Sequence, residues 1–232
     1  MSILYIFPHP DDESFGPAPV MAKQISEGKS VFLLTLTKGE ATKERFKLGL
    51  SKEEMGSVRA NELEKVAQVL GLTGLTICDF PDGGLKNLDP RVLEQTITDA
   101  IKRLQPTVIV TYNIFGISGH HDHLTTHAAV KRAFVELKST GEGYLKRLAF
   151  YTMPERKGKR SISFSKEEEI DCIVKCGEAE MEKVMQALDC YASYRDRIEK
   201  TGVKKYKSNE VYFEFFQESF APPLSDLNAR LR

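Results

Sequence analysis

The chain has 232 residues, 41% of them hydrophobic and 28% charged, with Lys plus Arg equal to Asp plus Glu at 33 each. That length suits one α/β domain and buries enough surface to fold without disulfides or a structural metal. Balanced charge excludes a field that draws the chain to nucleic acid or an anionic membrane, and no run approaches the ~20 apolar residues of a membrane span.

Short apolar runs alternate with amphipathic stretches, as in βαβ units. Ile3 to Phe7 reads as a buried first strand, and nothing before it resembles a signal peptide, so a cytoplasmic location is expected. A helix over Pro17 to Glu27, ended by Gly28, precedes a second strand at Val31 to Thr37. Ser51 and Glu54 have the spacing of a capping box for a helix over Lys52 to Leu70, stopped by Gly71. Leu75 to Phe80 is a third strand, and Pro90 to Leu104 a helix with Pro in its first turn. Thr107 to Tyr112, β-branched almost throughout, is the strongest strand signal and belongs at the centre of a sheet. A helix is expected over His123 to Leu137.

Beyond Lys138 the pattern changes to strands at Arg147 to Met153 and Glu169 to Val174, a helix at Glu178 to Ala192 and a last strand at Glu210 to Phe216. A basic stretch from Arg156 to Arg160 reads as a solvated loop. The expected fold is a Rossmann-like, doubly wound, mostly parallel sheet with a C-terminal extension. It forms one domain over 1–232, residues 1–137 being the core that carries the site. Cys78, Cys172, Cys176 and Cys190 contain no CxxC pair and read as reduced thiols. The pattern leaves a homo-oligomer open.

In an open parallel sheet, ligands bind beyond the carboxyl ends of the strands, near the switch in strand order. Two polar clusters follow strands here. His9, Asp11, Asp12 and Glu13 come after the first strand, and His120, His121, Asp122 and His123 after the fourth. Either loop alone could be a helix cap. Together they supply the imidazoles and carboxylates that bind a borderline divalent metal, most readily zinc, with iron(II) an alternative. A zincin site is excluded because Leu124 stands where HExxH needs its glutamate. His127 then reads as a packing or helix-surface residue. The absence of GxGxxG and GxxxxGK[ST] excludes the nucleotide-binding loops.

The strand followed by His9-Pro10-Asp11-Asp12-Glu13, together with His120-x-Asp122-His123, resembles the LmbE-like or PIG-L deacetylases. The likeness extends to Thr37-Lys-Gly39-Glu40, to Arg59-x-x-Glu62 with Leu70-Gly71, and to Phe80-Pro81-Asp82-Gly83. It covers roughly 3–135. Over the last hundred residues it is weak, and Tyr191-Ala-Ser193-Tyr194 stands where members often carry a His and a Gln. The resemblance implies a zinc-dependent hydrolase removing the acetyl group from an N-acetylglucosamine-type conjugate, a small-molecule glycoconjugate. The first motif is similar to that of the bacillithiol-pathway deacetylases.

Carried over, the resemblance makes His9, Asp12 and His123 the metal ligands, leaving a coordination position open for water. Asp11 is the expected general base. His120, as an imidazolium, is expected to stabilise the oxyanion or protonate the amine, with Asp122 holding and charging it. Arg59 is expected either to contact substrate or to form a surface pair with Glu62 or Glu54, and Asp82 to accept a sugar hydroxyl. Glu13 is expected to cap the first helix or support a ligand, and His121 to be a bystander. Three readings compete: a non-haem iron oxygenase, a metal-dependent amidase for another small N-acyl substrate, and a non-catalytic metal- or sugar-binding module.

Overall fold

The computed structural model describes residues 1–155 and 164–231, so the basic loop expected over 156–160 lies outside the described residues. Among the described residues seven strands form one sheet: β1 (Ser2–Phe7), β2 (Ser30–Thr37), β3 (Gly74–Phe80), β4 (Val108–Tyr112), β5 (Arg147–Thr152), β6 (Cys172–Lys175) and β7 (Glu210–Phe215). Their order is β3-β2-β1-β4-β5-β7-β6. The first five are parallel, and β7 runs antiparallel to both β5 and β6. After β3 the chain returns to the far side of β1 and lays down β4, so the switch point lies between β1 and β4. The two polar clusters follow those two strands.

Side chains alternate across a strand, and a parallel sheet is covered on both faces. Ile3, Tyr5 and Phe7 point to one core, beneath α2 (Ala18–Ser26), α4 (Lys52–Leu70) and α7 (Glu178–Cys190). Leu4 and Ile6 point to the other, beneath α5 (Pro90–Leu104) and α6 (His121–Ser139). β4 is buried along its whole length, as its β-branched sequence predicts. The capping box of α4 is present: Glu54 N–H donates to Ser51 Oγ at 3.2 Å and Ser51 N–H to Glu54 Oε2 at 2.8 Å. Gly71 closes the helix at φ 80°.

Several boundaries move. α6 starts at His121, two residues earlier than expected, which puts His123 in its first turn with His120 as N-cap. β6 starts at Cys172 because Glu167–Glu169 forms a 3₁₀ turn, after which the Asp171 carboxylate accepts the Phe215 and Phe220 N–H groups at 2.7 and 3.0 Å. The sequence reading missed the short helices α1 (Asp12–Phe15), α3 (Glu44–Lys47), α8 (Arg195–Thr201) and α9 (Val203–Tyr206). None spans enough turns to show a periodicity. All four cysteines are free thiols. Among the described residues no helix is long and apolar enough to cross a membrane.

Candidate active site

The chain leaves β1 and turns sharply at Asp11, a non-glycine residue at φ 94° and ψ −25°. The turn starts the single-turn helix α1 and swings Asp12 back so that its Oδ2 accepts the His9 N–H at 2.9 Å. From the other side of the switch point, the loop after β4 crosses the first turn of α6 at Gly116. A side chain at that position would place its Cβ 2.7 Å from the His123 Cβ, and φ is +60°, so only glycine fits without strain.

The Gly116 carbonyl lies 2.8 Å from His123 Nδ1. A carbonyl only accepts, so Nδ1 carries a proton, and Nε2 faces the site, 3.4 Å from Asp12 Oδ1. His9 is oriented the same way by carboxylates. Its Nε2 sits 3.2 Å from both Asp82 Oδ1 and Asp122 Oδ2, while its Nδ1 faces Asp12 Oδ2 at 3.5 Å. His9, Asp12 and His123 therefore meet, each with a second group fixing its orientation. For Asp12 that group is Tyr112, whose hydroxyl donates to Oδ1 at 2.8 Å and whose ring stacks on His123 at 4.2 Å between centroids. Donor atoms of His9, His120 and His123 lie within 4.8 Å of one another, as do those of His9, Asp82 and Asp122. Two imidazoles and a carboxylate are a donor set that suits a divalent cation, although Asp12 meets His9 and His123 through different oxygens and stands outside both of those clusters.

Electrostatics agrees with a site built around positive charge. Burial works against ionised His9, yet its hydrogen bonds to Asp12, Asp122 and Asp82 raise its pKa well above the usual value. Burial likewise opposes ionisation of Asp12, but the charge and hydrogen bonds of His123 and His9 hold its carboxyl far below the ordinary range. Burial raises the Asp11 pKa, with the Arg59 charge opposing it. Glu13 is pushed up to about 7 by burial.

Four residues have partners other than those expected. Arg59 neither faces solvent nor pairs with Glu62 or Glu54. It is 1% exposed, donates from Nη2 to Asp11 Oδ2 at 2.9 Å and to the Pro10 carbonyl, and lies 3.8 Å over the Tyr194 ring. Gly39 opens that path, since a Cβ there would be 2.5 Å from Arg59 Nε. Glu62 instead accepts from Ser193 N–H and Oγ at 2.7 and 2.6 Å. The Asp122 carboxylate does not reach the His120 ring. It binds His9 Nε2 and the N–H groups of Gly83 and Leu85 at 2.7 and 3.2 Å. Helix capping explains the change: His120 Nδ1 accepts the Asp122 N–H at 3.2 Å, which leaves the Asp122 side chain pointing away. His120 is lowered from its usual pKa by burial and by His9 and His123, and with Nδ1 accepting the Asp122 N–H its ring proton lies on Nε2. Asp82 accepts the Ala41 N–H at 2.7 Å and turns to His9, so its oxygens are already engaged.

Glu13 is fully buried and accepts from Ser14 Oγ at 2.6 Å, Tyr191 OH at 2.7 Å and Asp11 N–H at 3.2 Å. His121 is exposed at the helix start. His127 is a packing residue, 2.9 Å from the Tyr112 carbonyl and against the Phe150 ring. The sequence reading gave no role to Tyr112, Tyr191 or Lys207. Tyr112 carried a signal as the last residue of a central strand beside the switch point, and Tyr191 one as part of the stretch standing where family members often carry a His and a Gln. Lys207 donates to the carbonyls of Ser14, Phe15 and Gly16 at 3.0, 2.7 and 2.6 Å, beneath α1. Burial pushes its pKa down to about 7.

The family model described as PIG-L, GlcNAc-PI de-N-acetylase, matches residues 4–134, more than half of the chain. The chain belongs to this family. All the residues expected to hold a metal or act on substrate fall inside the PIG-L match, whereas Tyr191 and Lys207 fall outside it. A 1D-myo-inositol 2-acetamido-2-deoxy-alpha-D-glucopyranoside deacetylase of Kineococcus radiotolerans is 29% identical over 167 residues, 57% of this chain and 44% of that protein. The chain spans about half the length of the curated relatives it matches.

Two solved structures share the fold at lower identity. The N,N'-diacetylchitobiose deacetylase of Pyrococcus horikoshii has a TM-score of 0.70 at 18% identity, covering 93% of this chain and 83% of that one. The 4-carboxy-2-hydroxymuconate hydratase of Pseudomonas putida KT2440 also scores 0.70, at 15% identity over 94% and 97%. A deacetylase and a hydratase on one fold mean that the fold does not choose the reaction.

Proposed function

We propose that the chain is a metal-dependent deacetylase that hydrolyses the acetamide of an N-acetylglucosamine-type conjugate. The observation that carries this reading is the convergence of His9 and Asp12 with His123, more than a hundred residues away, with Asp11 and His120 at the same place. His9, Asp12 and His123 would hold the cation, zinc or iron(II). When bound, it lowers the pKa of a water and polarises the amide carbonyl.

Asp11, set by its pair with Arg59, takes a proton from the attacking water, a role worth about 10²–10⁴-fold. His120, its Nδ1 occupied by the Asp122 N–H, offers Nε2–H to the charge that develops on the substrate. As the amine nitrogen gains a proton the C–N bond breaks, and acetate and a free amine leave. Asp122 and Asp82 serve by orienting His9. Arg59 acts through its pair with Asp11. The deacetylase activity of the Kineococcus relative on an inositol-linked acetamido-glucopyranoside supports an N-acetylglucosamine ring carrying an aglycone as the substrate class. Because supports for this site come from residues 191 and 207, residues 1–232 work as one unit.

The test is acetate release from a panel of N-acetylglucosamine conjugates, with metal analysis of the purified protein. Release that chelation abolishes and zinc or iron(II) restores is the expected result. A metal-loaded protein that releases acetate from none of them overturns the reading.

A further inference from the structure

We propose that Tyr191 is a positioning residue for the deacetylation: its hydroxyl holds the left-handed backbone of Asp11 and so aims the Asp11 carboxylate. The proposal rests on the reading of Asp11 as general base.

Asp11 at φ 94° and ψ −25° occupies backbone space that L-residues rarely adopt. Such a conformation costs about 1–3 kcal/mol and persists only where its surroundings over-determine it. The Asp11 N–H donates to Tyr191 OH at 2.8 Å, and more distantly to Glu13 Oε2 at 3.2 Å. Tyr191 in turn donates its only hydroxyl proton to Glu13 Oε1 at 2.7 Å. With that proton committed, a hydroxyl lone pair is what faces the Asp11 amide, so the direction of both bonds is set.

Tyr191 is itself held firmly. It is the C-cap of α7 and 1% exposed, and its ring lies 5.7 Å from the Arg59 guanidinium that binds the Asp11 carboxylate. Backbone and side chain of Asp11 are thus gripped by two neighbouring groups, from α7 and α4. The metal-holding residues have separate supports: Gly116 for His123, Tyr112 for Asp12, and Asp82 with Asp122 for His9. Removing the Tyr191 hydroxyl should release the base and leave the cation site standing, a separation that a general loss of stability does not produce.

Tyr191→Phe deletes the hydroxyl and keeps the ring in place. The variant is compared with wild type for kcat and KM on the best conjugate, for zinc affinity by titration, and for Asp11 amide hydrogen exchange by NMR. Loss of one hydrogen bond of about 1 kcal/mol predicts a kcat roughly fivefold lower. KM and zinc affinity should stay within about twofold, and the Asp11 amide should exchange faster. A kcat within twofold of wild type overturns the proposal, and so does a kcat that falls only together with zinc affinity. Wild-type protein that binds zinc yet releases no acetate defeats the deacetylase reading instead. In that case the exchange measurement still decides the clamp, because equal Asp11 exchange in the two proteins overturns it without any turnover.

Discussion

Residues 1–137 and the segment after them build one site by different means. The first supplies head groups that reach the centre: His9, Asp11, Asp12, His120 and His123. The second supplies groups that hold the turns and helices on which those residues or their partners sit. Tyr191 takes the Asp11 amide, Lys207 takes three carbonyls of the α1 turn, and Ser193 takes Glu62. Metal ligation and proton transfer restrict the residue type severely, so the first half is readable as motifs. Many residue types can donate to a carbonyl or accept from an amide, so the second half leaves no motif behind.

The largest expected effect tests whether the head groups divide into base and ligands. Asp11→Asn should lower turnover about 10²–10⁴-fold while the protein keeps its metal. Full turnover by this variant, measured at equal metal content, would break the assignment. Next comes the pair that spans α4 and the β1 loop. Arg59→Met removes a buried cation from beside Asp11, and breaking a buried pair costs about 3–5 kcal/mol. Urea unfolding of the variant should show a loss of that order, and an unchanged midpoint would mean that Arg59 is dispensable for holding Asp11.

Tyr112→Phe sharpens the comparison from within the first half. It keeps the ring stacked on His123 and deletes the hydrogen bond to Asp12. Outer-shell losses of this kind cost about 10–100-fold in metal affinity, to be read by competitive metal titration. Unaltered affinity would remove Tyr112 from the site's supports.

Per pH unit, the smallest effect belongs to Lys207. Its pKa is about 7 in the fold against 10.5 for the free side chain. Between those values the unfolded chain binds more protons than the folded one, so raising the pH stabilises the fold, by at most about 1.4 kcal/mol per pH unit. Lys207→Met should flatten the rise of stability with pH over that window. A slope identical to wild type would show that Lys207 stays charged throughout, held by its three carbonyls.

Much of this is legible in the amino-acid sequence. The capping box at Ser51 and Glu54, the stop at Gly71 and the buried run of β4 depend on interactions within a few residues, so local sequence reports them. The two His–Asp loops could be placed on one edge of the sheet because alternating strands and helices impose parallel topology. Short helices such as α1 and α8 escaped, since a turn or two carries no periodic signal. The β6 boundary moved because Asp171 bonds two amides from residues 215 and 220.

The sequence by itself determined where the residue types suited to metal binding and proton transfer cluster, each time directly after a strand; the strand order put the switch point between those two strands. Tertiary structure alone decided whom each polar group meets. Asp122 serves His9 instead of His120, Arg59 lies under Asp11 instead of in solvent, and a tyrosine 180 positions away holds the strained turn. The reason is geometric. A side chain's chemistry is a local property, but its partner is whichever complementary group the packing of distant helices and strands brings within about 3 Å, the range of a hydrogen bond.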